Sequence, residues 1–275
     1  NPCPFGSASS SLAEGTKKIM IKFHFTFDKT SKAQNLKKKI LLKYKNYSPK
    51  TAQVIIVGGG DGFMLYSLKK YVRYNKPFYG INCGTYGFLM NNFFNGDLQK
   101  RIKLSKKIFI KPLNIIAKTN KYKKKLLAIN EVSLFRQSRQ TVSLNLRINN
   151  KIILKKLIGD GILVSTPAGS TAYNFSVKGP VISLDSERLV VTPISPFRPR
   201  KWAGKIISNK NKLKITNLNP AKRPVAAVAD NIEIRNIRSV DVEINKKIIF
   251  NLLYDKNNSL KKKIKLEQLR QNIFK

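Results

Sequence analysis

Apolar residues follow two different rhythms along this chain, and the rhythm changes near Lys106. From Ile19 to Phe27 most positions are apolar, which predicts a strand. It leads into Asp28, Thr30 and Ser31, each able to cap a helix whose apolar residues Ala33, Leu36, Ile40, Leu41 and Tyr44 recur at helical spacing. Val54 to Val57 reads as a buried strand, Phe63, Leu65, Leu68 and Val72 suit one face of a second helix, and Phe78 to Asn82 is another short strand. Alternation of strand and helix predicts an α/β domain with a Rossmann-like parallel sheet, its ligand groups at the strand ends.

Beyond Lys106 the strand candidates crowd together: Ile108 to Lys118, Leu126 to Phe135, Val142 to Ile148, Ile152 to Ile158 and Ile162 to Val164. Asn149-Asn150 suits a hairpin turn. Further strands are predicted at Leu189 to Thr192, Leu213 to Thr216, Val225 to Ala229, Val240 to Ile244 and Ile248 to Leu252. The expected architecture is an α/β domain over residues 17–106 followed by an all-β, sandwich-like domain over residues 107–254.

Composition narrows the function classes. With 275 residues and 42% hydrophobic content the chain reads as a soluble protein of two domains. No apolar run approaches the roughly 20 residues that span a bilayer, and no secretory leader is recognisable, so a cytoplasmic protein is expected. Cys3 and Cys83 are too few for a disulfide framework, and a single histidine, His24, argues against zinc. A metal, if used, is expected to be a hard cation carried by phosphates, with no protein side chain assigned to it. Residues 1–16 lack Lys and Arg and are rich in Ser, Ala, Gly and Pro, as in a disordered leader or a vector remnant, and Met20 lies near the expected start.

Lys and Arg number 54 against 14 Asp and Glu, for a formal charge of +40. Such a balance suggests nucleic acid first. The lysines are nevertheless scattered through nearly every segment, without one arm or aromatic-flanked stripe, which disfavours a specific nucleic-acid site.

Val54-Ile55-Ile56-Val57 ends in Gly58-Gly59-Gly60-Asp61-Gly62. Glycines here uncover backbone N–H groups for an anion such as a phosphate, and Asp61 then has to orient a hydroxyl, hold a metal ion or cap the following helix. An ordinary tight turn with an N-cap Asp explains the pentapeptide equally well. The stretch lacks the Gly-Lys-Ser/Thr ending of a Walker loop, and Phe63 breaks a dinucleotide GxGxxG. A second glycine loop, from Gly80 to Asn91, follows the next strand and is expected to face the first. In the β-rich half, Asn130-Glu131 could grip two vicinal hydroxyls of a ribose. Gly159-Asp160-Gly161 leads into Ser165-Thr166-Pro167-Ala168-Gly169-Ser170-Thr171-Ala172-Tyr173, which offers hydroxyls for a base edge and an aromatic face for stacking.

In this order these four segments resemble the NAD kinase family, whose members carry a GGDG loop, an N-x-G-x-x-G-F-L loop, an N-E pair and a D-G-x-x-x-S-T-P-x-G-S-T-A-Y block. The likeness continues through Gly179-Pro180, Thr192-Pro193, Phe197-Arg198-Pro199-Arg200 and Val228-Ala229-Asp230. It implies transfer of the γ-phosphoryl group of ATP to the 2′-hydroxyl of the adenosine ribose of NAD, giving NADP, with a divalent metal such as magnesium. Asp61 matches the family's catalytic acid, and Gly58, Gly59, Gly60 and Gly62 its phosphate loop. Asn130 and Glu131 match the ribose-holding pair. Asp160, Thr171, Ala172, Tyr173 and Ser176 match residues that enclose the two ends of NAD, and Phe88 an aromatic wall beside it.

The resemblance also implies a homodimer or homotetramer in which Thr192 to Arg200, including Ser195 and Phe197, lies near a neighbouring subunit. It further implies that Asp255 to Lys275 returns to the first domain. One departure stands out: the family often has Arg where this chain has Ile158, which puts a phosphate or subunit contact in question. The rival readings are a related GGDG-loop kinase of a lipid or sugar phosphate, and a basic nucleic-acid-binding protein on the same fold.

Overall fold

The structure is a computed structural model that describes residues 20–85, 87–93, 96–256 and Lys263. The leader expected over residues 1–16, Tyr86 of the second glycine loop and most of 255–275 lie outside the described residues. In chain order the first part holds β1 (Phe23–Phe27), α1 (Ser31–Leu41), β2 (Val54–Gly59), α2 (Asp61–Tyr71), β3 (Phe78–Asn82), α3 (Leu98–Leu104) and β4 (Lys106–Ile110). Then follow β5 (Leu113–Lys118), β6 (Lys123–Ala128), β7 (Glu131–Arg136), β8 (Val142–Ile148), β9 (Lys151–Gly159) and β10 (Gly161–Ser165). The rest comprises α4 (Tyr173–Ser176), β11 (Arg188–Ile194), β12 (Lys205–Ser208), β13 (Leu213–Asn217), β14 (Val225–Ala229), β15 (Ile232–Ile234), β16 (Ser239–Ile244) and β17 (Phe250–Tyr254).

Strands β1, β2, β3 and β17 run parallel, and β4 closes the edge antiparallel to β17, in the order β1-β2-β3-β17-β4. Every residue of β2 is buried, as expected for a strand covered on both faces. Helix α2 buries Met64, Ser67, Leu68 and Tyr71, while Phe63, Leu65 and Val72 are only partly covered. Of the predicted face Leu68 is buried, and Met64, not foreseen, joins it in one core with Ile55 and Val57 of the sheet.

The remaining strands form two antiparallel six-stranded sheets, β12-β11-β10-β7-β14-β15 and β6-β5-β16-β13-β8-β9. One continuous core, including Leu134, Val164 and Val191 from the first and Ile115, Leu146 and Val240 from the second, fills the space between them. The fold is therefore an α/β unit followed by a β-sandwich. Two predicted long strands are each divided between sheets. Ile108 to Lys118 breaks at Lys111-Pro112, and Leu126 to Phe135 breaks at Ile129-Asn130.

Candidate active site

The glycine-aspartate loop sits at the carboxyl end of β2. Gly58 and Gly59 belong to the strand, where a Cβ would meet the Phe27 ring at 2.5 Å and the Phe63 side chain at 2.9 Å. Gly60, at the N-cap of α2, and Gly62, in its first turn, have open space where a Cβ would stand. Packing accounts for the first two glycines. The other two leave room for a ligand at the positive end of an eleven-residue helix.

Asp61 opens α2, but its side chain does not cap it. Its carboxylate is gripped by the second glycine loop: Oδ2 accepts from Phe88 N at 2.7 Å and Oδ1 from Leu89 N at 2.8 Å. Cys83 N donates to Gly59 O at 2.8 Å, fastening the two loops edge to edge. Burial raises the Asp61 pKa, against the pull of the two N–H donors and the nearby Lys263 ammonium. Behind the loop, Tyr254 Oη donates to Phe88 O at 2.9 Å, and Lys263 Nζ donates to Gly87 O at 2.7 Å and Met90 O at 2.5 Å. Burial lowers the Lys263 pKa to about 8.

Asn130 lies at the crossing between the two β-sheets, and Glu131 opens β7 opposite Ser165 of β10. Their turn is held from both sides. Asp230, in a left-handed conformation between β14 and β15, accepts from Ile129 N at 2.8 Å and Asn130 N at 2.9 Å. Thr166 takes the carbonyls, with Oγ1 donating to Ile129 O at 2.7 Å and N to Asn130 O at 2.9 Å. Asn130 Oδ1 and Glu131 Oε2 are buried and have no partner among the described residues. A buried acceptor without a donor costs free energy. Burial first, and Asp230 second, push the Glu131 pKa up to about 8.

Tyr173, at the start of α4, lies within electrostatic reach of both Asp160 and Glu131, and its ring meets Phe135 at 5.6 Å. Asp160 is itself paired with Arg136 Nε at 2.6 Å. This guanidinium comes from β7, the neighbour of β10, and it stands beside Asp160 although Ile158 has none to offer. Thr171 is buried and Ala172 leads into α4. Ser176 lines a cavity of about 470 Å³ together with Thr192, Ser195 and Arg200. A larger cavity, about 540 Å³, lies between β4 and the 183–188 turn and contains none of the expected site residues.

A family model described as ATP-NAD kinase C-terminal domain matches residues 129–249, from the Asn130-Glu131 turn to the end of the sandwich. The NAD kinase of Brucella melitensis is 40% identical over 255 residues, covering 92% of this chain and 99% of that one. The chain belongs to the NAD kinase family. A family member from Zymomonas mobilis is 42% identical over 88% of this chain and 95% of its own. The fold also matches the crystal structure of an NAD kinase from Archaeoglobus fulgidus in complex with ATP, with TM-score 0.69, 19% identity and coverage of 86% and 95%. Yeast NADH kinase complexed with NADH superposes with TM-score 0.70 at 17% identity, covering 89% of this chain and 86% of that one.

Against this family background, sequence reasoning missed the supports of the site rather than its floor. Lys69, Lys263, Tyr254 and Arg136 carried no signal, since a basic residue among 54 and a tyrosine at a strand end look ordinary, and Thr166, singled out within the Ser/Thr-rich block as a hydroxyl for a base edge, instead holds the carbonyl of Ile129. Asp230 was visible only as part of a longer likeness; its Asp-Asn turn was the local clue.

Proposed function

We propose that this site transfers the γ-phosphoryl group of ATP to the 2′-hydroxyl of the adenosine ribose of NAD, making NADP. The observation that carries the reading is the pair of unpartnered buried acceptors, Asn130 Oδ1 and Glu131 Oε2, in a family member whose Asp61 is clamped beside an open helix start. Asn130 and Glu131 hold the vicinal ribose hydroxyls; a carboxyl that titrates near 8 can donate as well as accept. Asp61 orients the 2′-hydroxyl and takes its proton, burial having raised its basicity while two N–H donors favour its ionised form. Phosphoryl transfer through a loose transition state asks more for positioning and charge neutralisation than for base strength.

Backbone groups at Gly60 and Gly62 receive the phosphates, with Gly58 and Gly59 shaping the strand end beneath them. Phe88, Asp160, Thr171, Ala172, Tyr173 and Ser176 enclose the two ends of NAD. Magnesium would be carried by the nucleotide phosphates and would neutralise their charge, with no protein side chain assigned to it; among the described residues there is no group of three or more His, Cys, Asp or Glu that could hold a metal ion. Thr192 to Arg200 is inferred to meet a neighbouring subunit of a homodimer or homotetramer; Phe197 is 46% exposed there, with Arg198 and Arg200 over its ring. No described helix is long and apolar enough to cross a membrane, and a cytoplasmic location is inferred from the chain's membership of its family.

Incubation of the purified protein with NAD, ATP and magnesium should yield NADP. Asp61→Asn should lower kcat by roughly 10²–10⁴-fold while NAD binding stays measurable. An unimpaired rate would remove Asp61 from the role of base. Phosphorylation of a lipid or sugar phosphate without NADP would favour the alternative kinase.

A further inference from the structure

Asp230 does more than hold the turn that carries Asn130 and Glu131. Its side chain is 2% exposed, and beyond the two backbone N–H groups it meets, among the described residues, one cation, Lys69 Nζ, 2.7 Å from Oδ2. Lys69 lies on α2, the helix that begins with Asp61, whereas Asp230 and the turn belong to the β-sandwich. Apolar packing runs alongside this contact, since Ile129 shares a core with Met64 and Leu68 of the same helix. Helix and turn are therefore joined twice. The hydrophobic contact is non-directional and tolerates sliding; the charge contact fixes a distance.

We infer that Lys69 is a positioning residue of the kinase, holding the Asn130-Glu131 turn, through Asp230, at a set distance from Asp61. The inference rests on the ribose-holding reading of that pair. A reacting hydroxyl presented by one domain to a base carried by the other is sensitive to small displacements between them, so a charge contact that sets the distance between the two is a point of control. Lys69 also neutralises the Asp230 carboxylate, which otherwise adds an uncompensated negative charge next to Glu131. Its ammonium is shielded from solvent and makes this one ion pair without an aligned hydrogen bond, so charge and reach matter here more than donor geometry.

The test is steady-state kinetics on Lys69→Met, Lys69→Gln and Lys69→Arg, with melting temperatures measured in parallel. Loss of positioning should raise KM for NAD at least ~10-fold and lower kcat, with KM for ATP within about twofold, because the phosphate loop and α2 stay together. Arg keeps the charge and should recover NAD kinetics to within about threefold of the unsubstituted enzyme. A merely stabilising ion pair would lower the melting temperature and the active fraction, leaving both KM values in place. That result overturns the inference. If the Met variant does not fold, the comparison of Gln with Arg decides: equal KM for NAD in the two overturns it, and a clear advantage for Arg supports it. Glu131→Gln is run alongside. If it leaves NAD affinity intact, the ribose-holding assignment has failed; if it weakens NAD while the Lys69 variants behave normally, only the positioning role has.

Discussion

Two carboxyl groups in one site take different characters from their immediate partners. Asp61 receives two backbone N–H groups, which oppose the effect of burial, whereas Glu131 Oε2 receives none and feels Asp230 as well. Environment, rather than residue type, separates the two roles. Glu131 also couples stability to pH. Its folded pKa, about 8, is above the ordinary 4.5, so the native state binds the proton more tightly and stability falls as pH rises between those values. Between pH 5 and 8 the protein should lose on the order of 3 kcal/mol from this group. Glu131→Gln should remove most of that loss, and parallel melting curves that decline equally in the two proteins would refute the assignment. Lys263 acts outside this window: its pKa, lowered to about 8, makes stability rise with pH between about 8 and its ordinary 10.5. At this scale Asp61, Asn130 and Glu131 were legible because loops and dipeptides of chemistry-bearing residues interrupt apolar runs. Their supports were not, because long side chains reach across the fold from positions that sequence order keeps far apart.

Strands and helices were legible wherever periodicity was strong and the ends were marked. The hairpin between β8 and β9 turns at Asn149 and Asn150, both with positive φ of 47° and 68°, as the dipeptide suggested. Short elements such as α3, β12 and β15 were not foreseen; they are only a few residues long and carry Lys or Glu at exposed positions. Nor was the division of Leu126 to Phe135 foreseen, since both halves are apolar and nothing local tells a strand to change sheets. That change of sheet is what leaves Asn130 between strands. One glycine tests the strand packing behind it. A Cβ on Gly161 would fall 2.0 Å from Leu134 O across the β7–β10 pair, and backbone cannot yield as a flexible side chain does. Gly161→Ala should destabilise the fold by roughly 3 kcal/mol or more, measurable as a lower urea midpoint, and a midpoint unchanged within error would show that the strands part freely.

For the whole molecule the dominant quantity is charge. A surplus of 40 positive charges, with six ion pairs among the described residues to offset it, makes self-repulsion a standing cost of compactness. Salt screens that repulsion over about 10 Å at 0.1 M. The melting temperature should therefore climb by several degrees from low to physiological ionic strength; a fall would mean that the surface charges are locally compensated. Scatter of lysines along the chain was visible at once, and with it the absence of a basic stripe. The return of the chain to its first sheet was not foreseen where it occurs: Ile248 to Leu252 was expected as a strand of the β-rich domain, yet β17 joins β3 and β4 in the first sheet, whereas most of residues 255–275, for which family likeness implied a return, lie outside the described residues.

That re-entry has a temporal meaning. Strand β17 fills the slot between β3 and β4, and Tyr254 at its end braces Phe88, whose N–H holds Asp61. A growing chain thus completes its entire β-sandwich before the sheet beneath the glycine-aspartate loop can close. Until then β3 shows an open edge and β4 has no partner strand, the condition in which nascent sheets are most prone to pair with the wrong chain. Translation that stops short of Phe250 would leave the glycine-aspartate loop held by its own contacts to the second glycine loop but without the brace that Tyr254 gives Phe88 from behind.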